Sequence, residues 1–470
     1  MRSAGRARGE SITPNRWMIT MDLRSTSIGS IRMAAKRAPK LTASAMLAGC
    51  VVIVYYAVVA AFCPNGPYFD DFFSILEPVV NLARRPGVSD WIAVLISQNN
   101  QHRVITTHLS AVASWMLLGH VSFWGLNLFG NLLLLLAAGS IKASIDAPDN
   151  ARHLGRSAAA SVLIIACLLF NFSFFRLLSF PMAAVSNVGV YAFAILGFWA
   201  LFSGRTWAGF AALLASAASQ ANGLIGLPLA TVFLLRQRDW RRAAWAAVSS
   251  AIVIGLYFRH YDLHATMSPM LSPPADASLG AHTSIPLRVV YLFVQIGSLA
   301  MLNNRAMHLP VAFVAIPFFT GIGLVWVHYR LVREGALAER PALAAFMLFL
   351  LAAFLAITVV RVSASVDDWV PVRYKLISCL YACSVVALSA AQFTQRHPGR
   401  VSLSGVLAGC AMLYWLTSLI YLPVHVAHYR QYVAPLVTEA WYTQQQSDAA
   451  RQILDEAQTM DIFRWRQRID

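Results

Sequence analysis

Two carboxylates stand side by side in Tyr68-Phe69-Asp70-Asp71-Phe72, just after the first long apolar run of the chain (41–62). Adjacent carboxylates among aromatics at a membrane boundary repel one another and lose hydration, so at least one should hold its proton above the usual range. That suits a general base or a cation site. Two solvated loop aspartates are the plain alternative.

Three further clusters carry groups of the same kind. Gln98-Asn99-Asn100-Gln101-His102-Arg103 ends in a planar guanidinium fork suited to phosphate, with a histidine donor beside it. Arg103 fits equally well as an anchor reaching for lipid headgroups. Arg361, then Asp367-Asp368-Trp369, then Arg373-Tyr374-Lys375 gather three positive residues in one short stretch. A negatively charged ligand would explain them, and so would pairing with the two aspartates. Ser219-Gln220-Ala221-Asn222-Gly223 interrupts an apolar run. Such a break is tolerated at membrane depth where its backbone faces protein or water, so Gln220 and Asn222 are candidates to line a cavity. A plain hairpin between two short helices is the alternative.

Other chemistries have no motif here. The chain has no Gly-rich phosphate loop, HExxH, paired-cysteine metal spacing or GxSxG elbow, and no charged residue deep in a span. Its six cysteines lie mostly inside apolar runs, where they behave as small hydrophobes. The box Leu47-Ala48-Gly49-Cys50 matches a lipoprotein cleavage site, but the apolar run continues past it, so a spanning helix is expected.

Composition says what must position these residues. Of 470 residues, 58% are hydrophobic and 12% charged, against about 25% charged in a soluble domain. Bilayer-length apolar runs recur along the chain, so it reads as one all-α polytopic membrane domain (41–422), with a basic segment 1–40 before it and a tail 423–470 after it. Spans are expected near 41–62, 121–141, 157–175, 184–202, 206–220, 223–235, 243–258, 309–328, 342–360, 376–392 and 402–422, eleven in all. The stretches 104–119 and 289–302 are short and interrupted by His108 and Gln295, which suits interfacial or re-entrant segments. If both crossed, the count would be thirteen with the same topology.

The net charge of +16 comes from basic clusters between apolar runs, a pattern that orients helices in a bilayer and does not build a nucleic-acid face. The first forty residues hold nine Lys/Arg against Glu10 and Asp22. With these and Arg236, Arg238, Arg241, Arg242, Arg330, Arg333, Arg340, Arg396 and Arg400 on the cytoplasmic side, loops 63–120, 259–308 and 361–375 and the tail fall on the periplasmic side of a bacterial inner membrane. Asp448 to Met460 reads as a short amphipathic helix within that tail.

In order along the chain, these pieces resemble the GT-C superfamily of membrane glycosyltransferases, which includes the aminoarabinose transferases and protein O-mannosyltransferases. Asp70-Asp71 stands where that family has a carboxylate pair, and Ser89-Asp90-Trp91 where it has Gly-Asp-Trp. Gln101-His102-Arg103 precedes a juxtamembrane segment, as the family's phosphate-contacting residues do. Gly119-His120-Val121-Ser122-Phe123-Trp124 takes the place of its phe-gly turn. Residues 219–228 take the place of its leucine-threonine-lysine-glycine-proline turn, without the lysine. More narrowly, the set is similar to a group of uncharacterised bacterial membrane proteins regarded as GT-C-like.

The resemblance implies a sugar donor on polyprenyl phosphate, entering from the bilayer, and an acceptor glycan, lipid or protein. Asp70 would be the base of an inverting displacement, and Asp71 would steady it, hold the acceptor or bind a divalent cation such as Mg or Mn. His102, Arg103, Arg361, Arg373 and Tyr374 would meet the phosphate, and Asp90, Trp91, Gln220 and Asn222 would line the cavity. A lipid-linked glycan transporter is the rival from another class. An O-antigen polymerase or ligase is a third reading, on the basic loop with His260, His264, His282, Arg288, Arg305 and His308.

Overall fold

The structure, a computed structural model, describes residues 43–63, 65–67, 70–85, 87–99, 102–146, 154–262, 284–301, 311–361, 372–397, 402–423 and 448–464. The basic segment 1–40 lies outside the described residues, as do His264, His282, Arg305, His308, Asp367 and Asp368.

These residues form helices joined by short turns. In chain order they are α1 (Ala43–Phe62), α2 (Glu77–Arg84), α3 (Val88–Leu95), α4 (Ile105–Leu118), α5 (Phe123–Ile145), α6 (Leu154–Leu169), α7 (Pro181–Phe202), α8 (Thr206–Ser219), α9 (Gly226–Arg236) and α10 (Trp240–Phe258). After them come α11 (Ile285–Ile296), α12 (Ala315–Arg333), α13 (Pro341–Arg361), α14 (Val372–Arg396), α15 (Ser402–Ser418) and α16 (Asp448–Thr459). A hairpin of two strands, β1 (Gln98–Asn99) and β2 (His102–Arg103), sits between α3 and α4. Each long helix grows from an apolar run, and α1 carries no charged side chain over its twenty residues.

Seven helices are long and apolar enough to cross a membrane: α1, α5, α7, α12, α13, α14 and α15. The expected eleven crossings are therefore shown only to this extent. The remaining four fall on α6, α8, α9 and α10, which are too short or, in α10, too interrupted by Arg241 and Arg242 to qualify on length and apolarity. Two boundaries also moved. The span expected at 157–175 ends at Leu169, because the Asn171 side chain bonds the Leu168 carbonyl and the Ser173 amide and turns the chain. The short segment expected at 289–302 forms a helix from Ile285, where Pro286 supplies a first turn that needs no amide donor.

Direct contacts sort the turns into two ends. At one end the Trp124 amide donates to Asn65 after α1, and Asp71 reaches the start of α7. Arg103 reaches the last turn of α10. At the other end Arg340, before α13, donates to the Ile145 carbonyl closing α5, Arg242 donates to Leu201 in α7, and Arg396 pairs with Glu334. The basic clusters thus collect at the end opposite Asp70.

The large apolar core runs through the bundle, with Tyr55, Phe170, Phe172, Phe198, Phe346 and Phe349 fully buried. A second, smaller core caps the Asp70 end and contains Phe72, Ile75, Leu76 and Val79, together with residues from the far end of the chain. In α16, Ala450, Ile453, Leu454 and Ala457 recur at helical spacing and are buried against this core. Phe463 packs edge-on against Phe123 at 5.3 Å, the Val121 amide donates to the Ile462 carbonyl at 2.7 Å, and Arg84 pairs with Glu456 at 2.8 Å. Residues 448–464 form a strap over the segment that bears the aspartates.

This docking is testable by cross-linking. A double variant Arg84→Cys, Glu456→Cys, with the six native cysteines replaced, should be joined by a short bismaleimide cross-linker in membranes, read as a mobility shift absent from either single variant. Cysteines that stay apart would show that the tail does not sit on α2.

Candidate active site at the Asp70 end

The acidic pair opens an irregular helix. Phe72–Leu76 is a π turn, and both the amide and the hydroxyl of Ser74 donate to the Asp70 carbonyl, at 2.9 and 2.6 Å. A single π turn inside a helix rotates the residues on either side of it relative to a regular path, and such turns recur at functional sites. Here the two neighbours part company. Asp71 is fully buried, and its Oδ1 accepts from the Met182 amide at 2.9 Å. Met182 lies in the first turn of α7, where amides have no partner inside their own helix and the helix dipole favours negative charge. Asp71 therefore caps α7 from a distant loop, whereas Asp70 remains half-buried.

The wall that follows is the outer stretch of α7. Going down it, Met182 meets Asp71, Asn187 meets Gln220, and Tyr191 meets Asn222. Tyr374, at the start of α14, is close enough to Tyr191 for their hydroxyls to interact electrostatically. Nine residues separate Met182 from Tyr191, about 13 Å of helix. Three residues expected in the site, Asp71, Gln220 and Asn222, thus reach one helix face, and Thr106 joins them through the Ser219 hydroxyl at 3.1 Å. The Gln220–Asn187 and Asn222–Tyr191 bonds are both 3.4 Å, long enough to yield to a ligand. Asn187, Gln220, Asn222 and Thr106 are half-buried, so the stripe is accessible from one side.

Backbone irregularity makes this wall. Ala184–Val188 is a second π turn. It faces Gly130 so closely that a Cβ there would lie 2.6 Å from the Ala184 carbonyl carbon. The turn from α8 into α9 is a 3-10 segment, Ala221–Ile225, in which a Cβ on Gly223 would fall 2.1 Å from the Ser216 carbonyl oxygen. Only glycine lets the chain fold back there and aim Gln220 and Asn222 at α7.

The hairpin behaves differently from expectation. Arg103 is 7% exposed, and its guanidinium donates to three carbonyls: Tyr257 through Nε at 2.8 Å, Arg259 at 2.6 Å, and Ile96. Its own amide donates to the Tyr257 hydroxyl at 3.0 Å. Two of these carbonyls belong to the C-terminal end of α10, where a cation is favoured. Gln98 completes the clamp by exchanging two hydrogen bonds with the Asp262 backbone. The guanidinium expected to meet phosphate thus fastens the first loop to α10. His102, beside it, is half-buried.

The remaining expectations divide as follows. Asp90 lies in the first turn of α3, and Trp91 packs on the smaller core; both are half-buried. Arg361 ends α13 and Arg373 opens α14, but their side chains lie outside the described residues. Among the described residues no three His, Cys, Asp or Glu side chains stand together as metal ligands. One Asp71 oxygen is taken by the Met182 amide, and of the three roles the resemblance left open for Asp71, among them a divalent cation, this bond favours a positioning one.

Four contributors went unread in the sequence. Asn187 and Tyr191 share a helix face at a spacing of four, a polar signal inside an apolar run that could have been seen. Glu77 immediately follows the π turn, and burial pushes its carboxyl up from the ordinary value. Tyr257, which organises the Arg103 clamp, gave no signal.

The unequal roles of the aspartates predict unequal stability effects. Asp71→Ala strands the Met182 amide and should cost about 1–3 kcal/mol, seen as lower thermal stability in detergent, whereas Asp70→Ala should cost far less. Equal losses would contradict the assignment.

Matched against family models, curated proteins and solved structures, the chain shows no match to any of them, so the reading of the site rests on its own residues.

Proposed function

We propose that this chain is a GT-C type membrane glycosyltransferase, which moves a sugar from a polyprenyl-phosphate donor to an acceptor hydroxyl on a glycan, lipid or protein at the periplasmic face of a bacterial inner membrane. The observation that carries the reading is the polar stripe on α7, whose head is capped by Asp71, the sequence neighbour of the half-buried Asp70. The stripe is built of neutral amides and hydroxyls: Thr106, Asn187, Tyr191, Gln220 and Asn222. Groups that both donate and accept suit the hydroxyls of a sugar better than they suit an ion.

In this mechanism Asp70 takes the proton of the acceptor hydroxyl as its oxygen attacks the anomeric carbon. The bond from that carbon to the phosphate oxygen breaks, and polyprenyl phosphate leaves with the electron pair, so the anomeric centre inverts. Asp71 fixes the π turn and so aims Asp70; it is a positioning residue. Charge on the departing phosphate calls for nearby cations. His102, Arg361 and Arg373 are the candidates, since Arg103 is committed to the α10 carbonyls.

The topology that goes with this reading counts α6, α8, α9 and α10 as crossings beside the seven apolar helices, giving eleven, with α4 and α11 in the outer boundary. Arg236, Arg242, Arg330, Arg333 and Arg340 then face the cytoplasm, in keeping with the positive-inside rule. The strap α16 lies in the periplasm with Asp70.

The test is transfer of labelled sugar from a panel of polyprenyl-phosphate sugars by purified protein in proteoliposomes. The wild type should transfer, and Asp70→Asn should lower turnover by roughly 10² or more with little change in donor binding. A wild type that only moves the donor between leaflets would make it a transporter, and full transfer by Asp70→Asn would remove this residue from the chemistry.

A further inference from the structure

Lys375 is the most awkwardly placed charge among the described residues. It lies in the first turn of α14, is completely buried, and donates from Nζ to the Met301 carbonyl at 2.6 Å. Its ammonium also sits 5.5 Å from the centre of the Tyr421 ring. None of the ion pairs among the described residues includes it. A lysine ammonium has three donors, and one neutral carbonyl and one ring face do not neutralise it. It is also at the wrong end of its helix, because the positive pole of the dipole repels a cation there, and Arg373 precedes it by two residues.

A buried charge with no counter-ion among the described residues is costly in a membrane bundle and marks an ion or substrate path when it is kept. The surroundings fit a ligand that is anionic and carried by lipid. Ile420, beside Tyr421, is 62% exposed on the outside of the bundle, as are Leu413 and Leu416 along α15. Deeper in, Tyr414 shares hydrogen bonds with Ser173 and Cys379, and the Asn171 side chain joins the same chain. The ammonium thus lies one side chain behind a surface that faces acyl chains, with a hydroxyl-rich floor below it.

We propose that Lys375 is the phosphate-binding residue of a prenyl-phosphate site at the first turn of α14, reached from the bilayer past the end of α15. The inference rests on the glycosyltransferase reading for its ligand class and gives the phosphate a residue there in place of Arg103.

The experiment uses full-length protein in nanodiscs and farnesyl phosphate as probe, with inorganic phosphate and phosphatidylglycerol as competitors. Wild type should bind farnesyl phosphate, and Lys375→Met should weaken binding by about tenfold or more through loss of a charge-assisted contact. Lys375→Arg should keep most of the affinity. Neither inorganic phosphate nor phosphatidylglycerol should compete at equal concentration. Unchanged affinity in a folded Lys375→Met overturns the assignment, and so does equal competition by phosphatidylglycerol, which would make this an ordinary headgroup contact. Should Lys375→Met fail to fold, a farnesyl phosphate with a photoreactive group near its phosphate is used on the wild type. Label on the first turn of α14 or on 298–301 supports the site, and label confined elsewhere overturns it. Lys375-dependent binding by a protein that transfers no sugar would sustain this inference while ending the proposed function.

Discussion

The hydrogen bond from the Met182 amide to the buried carboxylate of Asp71 joins the loop after α1 to the first turn of α7, and most of the site hangs on that junction. A helix that begins near the boundary of a membrane bundle has amides with nothing to bond, and water is scarce there. Asp71 supplies the acceptor and the compensating charge together. Once it is committed, the π turn that follows holds Asp70 in a different environment, and α7 starts at a fixed height. The residues down α7 then meet Gln220 and Asn222 in order.

The same end of the bundle is where regular helix gives way. Both π turns and one of the three 3-10 segments among the described residues, at Phe72–Leu76, Ala184–Val188 and Ala221–Ile225, touch the stripe or follow the acidic pair, while the other two, Ser298–Ala300 and Val311–Val314, precede α12. Irregular backbone inside a membrane bundle has to be sheltered by protein or by a polar space, so its concentration here is a physical marker of a site. The strap α16 and the Arg103 clamp do the sheltering from opposite sides, one on the smaller core and one on the end of α10.

Much of this was legible in the residue pattern because it follows from local rules. Apolar length placed the seven long helices, and Ser219-Gln220-Ala221-Asn222-Gly223 announced its own turn. The spacing of Ala450, Ile453, Leu454 and Ala457 announced α16. What the pattern could not carry was pairing between remote segments. Arg103 reads as a free guanidinium until Ile96, Tyr257 and Arg259 are seen to bring three carbonyls to it. Asp70 and Asp71 are equivalent in sequence and become distinct only when α7 arrives. Lys375 is one of three basic residues in a loop until burial separates it from solvent.

The proposed glycosyltransferase requires that the polar stripe on α7 hold a sugar whose anomeric carbon faces Asp70. The most direct measurement is a cryo-EM structure of the protein in nanodiscs with a non-cleavable polyprenyl-phosphate sugar analogue. The account predicts density for the sugar along Asn187, Gln220 and Asn222, with the anomeric carbon close enough to Asp70 for a hydroxyl to fit between them. Density for the sugar at the opposite end of the bundle, among Arg236, Arg242 and Arg340, would contradict it.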